Sequence, residues 1–226
     1  MHRREYLSTV AVGGVGSTAG CLGGLFDSGP ESVVLGEPND QQAESTALAY
    51  PAYGEAFPEF SLPEAFSEAT FDSATVEVPA LYTAFYAFCP AECRLLMNAM
   101  ASIQAELDSE GLLESVKMVA MTFDPERDTP EKLEANAEEY SIAHSHESWR
   151  YLRPEDDDQA KDVVGDRLGI AFERVGVESE TTYEFRHMTL TFLVNPDGVV
   201  ERVYRTDSPD VERVVEDFET VVAAYE

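Results

Sequence analysis

The segment 78–97 constrains the fold most, because it joins an apolar strand directly to a pair of cysteines and a helix. Residues 78–88, VPALYTAFYAF, are apolar and aromatic, which predicts a buried strand. Cys89 and Pro90 follow at once, and residues 93–111 predict a helix that ends at Gly111. The apolar residues of that helix recur at helical spacing: Leu96, Met100, Ile103 and Leu107. A strand that leads into a helix in this way indicates a layered α/β domain.

The later segments indicate a mixed sheet. They predict strands at 115–123, 187–194 and 199–205, a short apolar segment at 149–152, and helices within 124–140, through about 169 and over about 208–225. Asp128 or Thr129 is suited to cap the helix within 124–140, where Pro130 fits the first turn. The order β-α-β-α-α-β-β-α predicts a mixed α/β three-layer sandwich.

The charge of the chain excludes one class of partner. Asp and Glu number 44 against 15 Lys and Arg, which gives a net charge of −29. A nucleic-acid partner is not expected, because affinity for phosphate needs clustered Lys and Arg. The acidic residues are spread along the chain, which favours a surface that stays hydrated in very high salt over an acidic metal-binding patch or disorder.

Residues 1–21 have the features of an export leader. Arg3 and Arg4 precede an apolar run that is too short to span a bilayer, in a pattern that resembles a twin-arginine signal. The run ends in small residues before Cys21, which resembles a lipoprotein cleavage box with Cys21 as the lipidated residue. An uncleaved N-terminal anchor is the alternative. Both the lipoprotein and the uncleaved-anchor interpretations predict an extracytoplasmic domain at 56–226, tethered to the membrane through a flexible polar spacer at 22–55.

Cys89 and Cys93 are placed for thiol chemistry. A helix N-terminus favours negative charge, so thiols located there lose protons more easily than free cysteine. Residues i and i+4 of a helix share a face, so both sulfurs can approach one point. The spacing permits a structural disulfide, a redox dithiol or two ligands of a soft metal ion.

A metal site would need a third ligand, and three histidines outside the leader could supply it. His144 and His146 lie in a polar loop, where contact with solvent is the expected role. His187 stands at the start of a predicted strand, where a purely structural role is an equal alternative. Two thiolates and one imidazole can hold Cu(I) in a trigonal arrangement and can also admit Cu(II).

Three motifs, CPAEC, FDPERDTPEKLEANAEEY and RHMTLTFLVNPDG, and the segment WRYL give a resemblance to a known family. Together they resemble the Sco/SenC family of thioredoxin-like, copper-binding proteins over about residues 75–206. The resemblance implies a thioredoxin-like α/β/α sandwich with a mixed central sheet. It also implies that Cys89, Cys93 and His187 bind copper.

The resemblance extends to the loop of the second motif and has two departures. Asp124 and Asp128 match positions close to the metal in relatives, where they would orient ligands or engage a partner. Arg94 replaces the usual proline, and its charge should favour thiolate. Met188 replaces a small polar residue, and core packing is its expected role, with an extra soft donor as the alternative.

The family implies a membrane-tethered copper metallochaperone that assembles the binuclear copper centre in subunit II of a respiratory terminal oxidase. The alternative is a thiol–disulfide oxidoreductase or peroxidase-like protein, in which Cys89 attacks and Cys93 resolves. A third reading is an exported domain with a structural disulfide. His187 favours copper handling, because a dithiol oxidoreductase does not need it. The chain is therefore not expected to be a conventional enzyme, although thiol–disulfide reductase activity remains compatible with it.

Overall fold

The computed structural model describes residues 32–41, 43–176, 179 and 182–226. The predicted leader with Cys21 lies outside the described residues. The strands are β1 (Ser61–Pro63), β2 (Thr70–Asp72), β3 (Ala80–Phe85), β4 (Lys117–Thr122), β5 (Trp149–Leu152), β6 (Phe172–Val175), β7 (Glu184–His187), β8 (Thr191–Val194) and β9 (Val200–Tyr204). The helices are α1 (Glu92–Ser109), α2 (Pro130–Tyr140), α3 (Asp157–Ala160) and α4 (Val211–Tyr225).

The centre of the domain is a five-stranded mixed sheet in the order β5-β4-β3-β8-β9. Strands β3, β4 and β5 run parallel, whereas β8 pairs antiparallel with β3 and β9 pairs antiparallel with β8. All six residues of β3 are buried, as its continuous apolar sequence predicts for a central strand. Helices flank this sheet, and α1 packs against α4. The thioredoxin-like α/β/α sandwich predicted from the sequence is confirmed.

Helix α1 lies where the sequence predicts it. Its four predicted apolar residues are fully buried: Leu96, Met100, Ile103 and Leu107. The helix ends just before Gly111, whose φ of 75° is a left-handed conformation that glycine adopts without strain. The chain from the end of β3 to α1 therefore holds both cysteines at the carboxyl end of the central strand.

The helices that follow differ in detail from the prediction. Thr129 is the residue that caps α2, because its hydroxyl accepts a hydrogen bond from the backbone N–H of Lys132 at 3.4 Å. Asp128 does not cap this helix. The acidic helix predicted to run through about 169 is present as far as Arg167, but it is α-helical only over α3 and continues as a π-helical segment over Lys161–Arg167. Among the described residues, no helix combines the length and apolar character needed to cross a bilayer.

The prediction of one strand over 187–194 is wrong. His187 is the last residue of β7, which pairs with β6 in a separate two-stranded sheet, and β8 of the central sheet begins only at Thr191. Strand β7 holds one apolar residue and β8 holds three, but Met188 and Leu190 continue the apolar pattern into β8, so the local pattern does not show that the chain changes sheet between them. The sequence also gave no indication of β6. His187 is therefore carried by a β-hairpin at the edge of the domain.

The described part of the segment 22–55 makes contacts that a free spacer would not make. The backbone N–H groups of Val34 and Leu35 donate hydrogen bonds to the carboxylate of Glu201 in β9 at 2.9–3.1 Å. The Tyr53 hydroxyl donates to the backbone carbonyl of Leu35 at 2.8 Å. Leu35 and Tyr53 are both buried. The composition of the segment does not reveal these contacts, because a few apolar side chains and one carboxylate distant in sequence are enough to hold the segment against the domain.

Candidate metal centre

Cys89, Cys93 and His187 converge at one end of the sheet. The Nε2 atom of His187 lies 3.9 Å from the sulfur of Cys89 and 3.6 Å from the sulfur of Cys93. The three potential ligand atoms all lie within 4.8 Å of one another. Among the described residues, no other group of three His, Cys, Asp or Glu side chains comes together in this way. The structure thus unites the three residues that the sequence singled out.

The cysteines are positioned by the turn between β3 and α1. The backbone N–H of Cys89 donates to the carbonyl of Tyr86 at 3.3 Å, which closes the turn after β3. The backbone N–H of Cys93, in the first turn of α1, donates to the sulfur of Cys89 at 3.3 Å. Both cysteines are buried, with exposed fractions of 6% and 3%. The helix start therefore directs an N–H group at a shielded sulfur, which favours a thiolate.

The two thiols share their protons unequally. A hydrogen bond from the Cys93 thiol, together with those from His187 and the backbone, lowers the pKa of Cys89 to about 3 against the opposing effect of burial. The same bond and burial raise the pKa of the Cys93 thiol. The pair therefore holds one proton near neutral pH, with Cys89 as thiolate and Cys93 as thiol.

His187 is oriented toward the sulfurs by its backbone and by aromatic neighbours. Its Nδ1 atom lies 3.2 Å from the carbonyl oxygen of Met188, so an Nδ1–H donates there and leaves Nε2 facing the sulfurs. Burial lowers the pKa of His187, but the interactions with the Cys89 thiolate and the Met188 carbonyl raise it by more. The rings of Tyr86 and Phe123 pack against the imidazole at centroid distances of 5.8 and 5.3 Å.

The donor set fits a soft metal ion. Two sulfurs and one imidazole nitrogen are the ligands that Cu(I) and Zn²⁺ prefer, and carboxylate-seeking ions such as Mg²⁺ are not suited to them. The backbone contact of His187 supplies the outer hydrogen bond that metal-ligating histidines generally make.

Comparisons with known proteins agree with this geometry. The family model described as SCO1/SenC matches residues 52–223. The chain belongs to the SCO1/SenC family. A SCO2-like protein of Rickettsia typhi is 32% identical over 111 residues, which cover 49% of this chain. The match spans about half of the length of that relative.

Solved structures of SCO1/SenC proteins share the fold. A SCO1/SenC family lipoprotein from Bacillus anthracis superposes with a TM-score of 0.62 at 17% identity, covering 74% of this chain and 94% of that one. ScoI of Bradyrhizobium japonicum, solved with copper bound, gives 0.60 at 17% identity and covers 74% and 99%. BsSco, described as having a disulfide switch and as a Sco family cytochrome c oxidase assembly protein, gives 0.60 at 17% identity and covers 77% and 96%.

The two aspartates of the SCO1/SenC motif lie beside the site without contacting its donors. Asp128 is fully buried and its Oδ2 atom accepts hydrogen bonds from the Thr122 hydroxyl and from the backbone N–H of Ala87, two residues before Cys89. Burial raises the pKa of Asp128 to about 7, although these hydrogen bonds act against the rise. Asp128 therefore supports the chain that leads to the cysteines.

Asp124 supports the other side of the site. Its fully buried carboxylate accepts a hydrogen bond from the Tyr183 hydroxyl at 2.6 Å and from Nε of Arg127 at 2.6 Å. Tyr183 precedes β7, so these contacts attach the hairpin that carries His187 to the loop that contains Asp124. Neither Arg127 nor Tyr183 was predicted from the sequence to take part in the site. The position of Arg127 inside the family motif was the available signal, and Tyr183 had none.

Of the two predictions about the departures from the family pattern, the one for Met188 is wrong and the one for Arg94 stays a prediction. Met188 is 40% exposed, so its expected role in core packing is wrong. Arg94 is exposed and its guanidinium forms an ion pair with Glu139 at 3.7 Å. The largest contributions to the Cys89 pKa come from the cysteine turn and His187 rather than from Arg94.

The other two histidines of the domain lie outside the site. His146 is within 3.1 Å of the Glu114 carboxylate, and its Nδ1 accepts a hydrogen bond from the backbone N–H of Ser148 at 3.1 Å. The ring of His144 lies 5.1 Å from that of Phe66. Both histidines are partly exposed, and neither belongs to the metal-ligating group found in the described residues.

Proposed function

We propose that this protein is a copper metallochaperone that binds copper through Cys89, Cys93 and His187 and delivers it to a respiratory terminal oxidase. The convergence of three soft donors within 4.8 Å is the observation that carries this proposal. Membership of the SCO1/SenC family supports it, as do the copper bound by ScoI and the role in cytochrome c oxidase assembly named for BsSco. The intended recipient is the binuclear copper centre of oxidase subunit II.

The site suits copper as a cargo that must be released. Cys89 binds as the thiolate that it already is, and Cys93 gives up its proton when Cu(I) binds. During transfer, two recipient thiols replace the donors one at a time; one of the two protons that they lose returns to Cys93, the other passes to solvent, and Cys89 is left as the thiolate. Copper keeps its oxidation state throughout. His187 leaves first, since it is a neutral ligand on a separate hairpin.

The proposal includes a location. Residues 1–21 resemble a twin-arginine signal with a lipobox, so the domain would be exported and anchored through a lipid on Cys21. Lipidation would also leave Cys89 and Cys93 as the remaining thiols of the chain, because the sequence contains three cysteines. The copper centre would then lie on the extracytoplasmic side of the membrane. Metabolic labelling with a fatty-acid analogue, with Cys21→Ser as control, tests the anchor.

Copper titration tests the function. In a Cys21→Ser background, the reduced chain is expected to bind one equivalent of Cu(II) with a sulfur-to-copper charge-transfer absorption. Cys89→Ser and Cys93→Ser should each abolish this band, and His187→Ala should shift it. His146→Ala is the matched control, since His146 lies outside the site, and it should leave the spectrum unchanged. A band that survives either cysteine substitution would contradict the proposal.

A thiol–disulfide oxidoreductase is the second candidate, because the Cys89 thiolate lies beside the Cys93 thiol and BsSco has a disulfide switch. Cys89 would attack a partner disulfide and form a mixed disulfide, releasing one partner thiolate. Cys93 would lose its proton and displace the second partner thiolate, so that two electrons pass to the partner and a Cys89–Cys93 disulfide forms. Rapid insulin reduction that His187→Ala does not change, combined with parent-like copper binding by that variant, would favour this candidate.

A further inference from the structure

The copper donors come from two separate parts of the fold. Cys89 and Cys93 follow β3 of the central sheet, whereas His187 ends β7 of the two-stranded sheet. The distances of 3.6 and 3.9 Å between Nε2 and the sulfurs therefore depend on how the hairpin β6–β7 is held against the cysteine turn. The contacts between these two parts decide the geometry of the site.

Aromatic side chains pack the hairpin β6–β7 against the central part of the domain. The ring of Phe123 stacks on that of Phe172 at a centroid distance of 4.9 Å and meets that of Phe185 edge-on at 5.2 Å. Tyr86 packs edge-on against Phe185 at 5.2 Å. Such contacts stabilise the packing chiefly by burying apolar area, and the hydrophobic effect is not directional, so they tolerate small shifts of the hairpin. Polar contacts must fix its position more closely.

Arg127 contacts both parts at once. Its guanidinium carbon lies 3.6 Å from the centroid of the Tyr183 ring, and its Nη1 donates a hydrogen bond to the Tyr183 carbonyl at 2.7 Å. The same guanidinium lies 5.1 Å from the ring centroid of Phe88, the residue immediately before Cys89. The guanidinium of Arg127 therefore joins the hairpin β6–β7, which carries His187, to the cysteine turn.

Asp124 fixes Arg127 in this position. The carboxylate accepts hydrogen bonds from Arg127 Nε and from the Tyr183 hydroxyl, each at 2.6 Å. Asp124 is fully buried, and the side chain of Arg127 is 9% exposed, so these charge-assisted bonds are shielded from water. The Nη2 atom of Arg127 is buried without a hydrogen-bond partner, which costs free energy of folding. A side chain that only filled space in the core would not need to carry such a donor.

We propose that Arg127 is a positioning residue of the copper site, and that Asp124, Arg127 and Tyr183 form a latch that holds His187 against the two sulfurs. The latch sets how readily His187 leaves the metal, and so it controls the rate of copper release to an acceptor. This consequence rests on the proposed copper-delivery function, whereas the effect of the latch on the hairpin does not.

The first test uses the metal-free full chain. Arg127→Lys keeps the positive charge but loses the planar guanidinium that contacts both the hairpin and the cysteine turn. Tyr183→Phe removes only the hydroxyl that donates to Asp124. Backbone amide exchange in β6 and β7 should become about 10-fold faster in Arg127→Lys, while exchange in β3 stays at the parent rate. Arg153→Lys is the matched control, because Arg153 donates to the carbonyls of Pro125 and Asp128 in the same loop. It should leave the hairpin unchanged.

The second test measures copper in the same variants. Arg127→Lys should shift the Cu(II) charge-transfer band toward that of His187→Ala and release Cu(I) to a chelator about 10-fold faster. In a His187→Ala background, Arg127→Lys should change release by less than about 2-fold, because the latch acts through His187. Tyr183→Phe should change copper release in the same direction but by less. If Arg127→Lys does not fold, Tyr183→Phe alone tests the latch.

The outcomes separate the latch from the function. Parent-like amide exchange and copper release in both latch variants would overturn the latch, and so would an equal change of release in the His187→Ala background. If the parent chain binds no copper while Arg127→Lys still loosens the hairpin, the proposed function fails and the latch stands.

Discussion

The Nε2 atom of His187 lies 3.6 Å from the sulfur of Cys93, although 94 positions of sequence separate the two residues. His187 ends a strand of the two-stranded sheet, and Cys93 lies in the first turn of α1. Their proximity turns a helix-start dithiol into a three-donor site. The same contact affects the protonation of the cysteines, and that effect can be measured.

The reactivity of Cys89 should depend little on pH. Its pKa is lowered to about 3, chiefly by the hydrogen bond from Cys93, so it is a thiolate throughout the range from about pH 5 to pH 8. Alkylation of Cys89 by iodoacetamide should therefore proceed at a nearly constant rate over this range, with Cys93 modified more slowly. Mass spectrometry of the quenched peptides measures both rates.

The His187→Gln variant provides the control for this experiment. It removes the imidazole that helps to hold the Cys89 thiolate, so the Cys89 pKa should rise and alkylation at low pH should slow relative to high pH. A rate for the parent chain that increases about tenfold per pH unit would show an ordinary thiol and refute the assignment.

Asp128→Asn should change how stability depends on pH. Burial raises the Asp128 pKa from 3.8 to about 7, so the folded chain holds this proton more tightly than the unfolded chain. The stability contributed by the group is full below about pH 4 and is lost as the pH rises through about 7. Asparagine cannot ionise, so urea unfolding should show that the variant loses less stability over this range.

Asp128→Ala separates ionisation from hydrogen bonding at the same position. Alanine leaves the buried hydroxyl of Thr122 and the partly buried N–H of Ala87 without their acceptor, so we expect a loss of about 1–3 kcal/mol below about pH 4 that shrinks as the pH rises and the parent chain itself loses stability. The turn before Cys89 should loosen with it and weaken copper binding. Equal pH dependence in the parent chain and in Asp128→Asn would mean that Asp128 does not titrate between pH 4 and 7.

Glu201→Gln should release the N-terminal segment. The fully buried carboxylate accepts hydrogen bonds from the backbone N–H groups of Val34 and Leu35 and from Nδ2 of Asn195. A glutamine amide would turn an NH2 group toward these donors, at a cost of about 1–3 kcal/mol. Urea unfolding should show this loss, and amide exchange at Leu35 should speed up.

Glu55→Gln is the matched control for that substitution. Glu55 accepts a local hydrogen bond from the backbone N–H of Ala52 at 2.9 Å, which an amide oxygen can also accept. The free energy of unfolding of Glu55→Gln should therefore stay close to that of the parent chain. If Glu201→Gln unfolds at the same urea concentration as Glu55→Gln, the carboxylate does not hold the segment.

Salt should stabilise the protein. The net charge of −29 causes self-repulsion in the folded state, and the screening length falls from about 10 Å at 0.1 M salt to about 3 Å at 1 M. The melting temperature should therefore rise steadily with KCl up to molar concentrations. Sucrose at matched osmolality is the control for general exclusion effects. A melting temperature that is flat or falls with KCl would contradict the high-salt interpretation of the surface.

The sequence by itself determined the elements whose residues interact locally. The continuous apolar run of β3 and the helical spacing of Leu96, Met100, Ile103 and Leu107 report which side chains face the core, so strand and helix followed directly. The four-residue step between the cysteines predicted both sulfurs on one helix face, but α1 begins only at Glu92, so the turn at Cys89 brings the sulfurs together instead. Family motifs then pointed to His187, which spacing alone left ambiguous.

What those residues do together depends on contacts between distant parts of the chain. A local pattern cannot show that residues 187–194 divide between two sheets, because apolar residues recur at every second position through Met188, Leu190 and Phe192. Nor can it show that Asp124 and Arg127 reach across to Tyr183, more than 50 positions away. Such contacts depend on which chain segments pack side by side, and that is set by the burial of the whole core rather than by any short stretch.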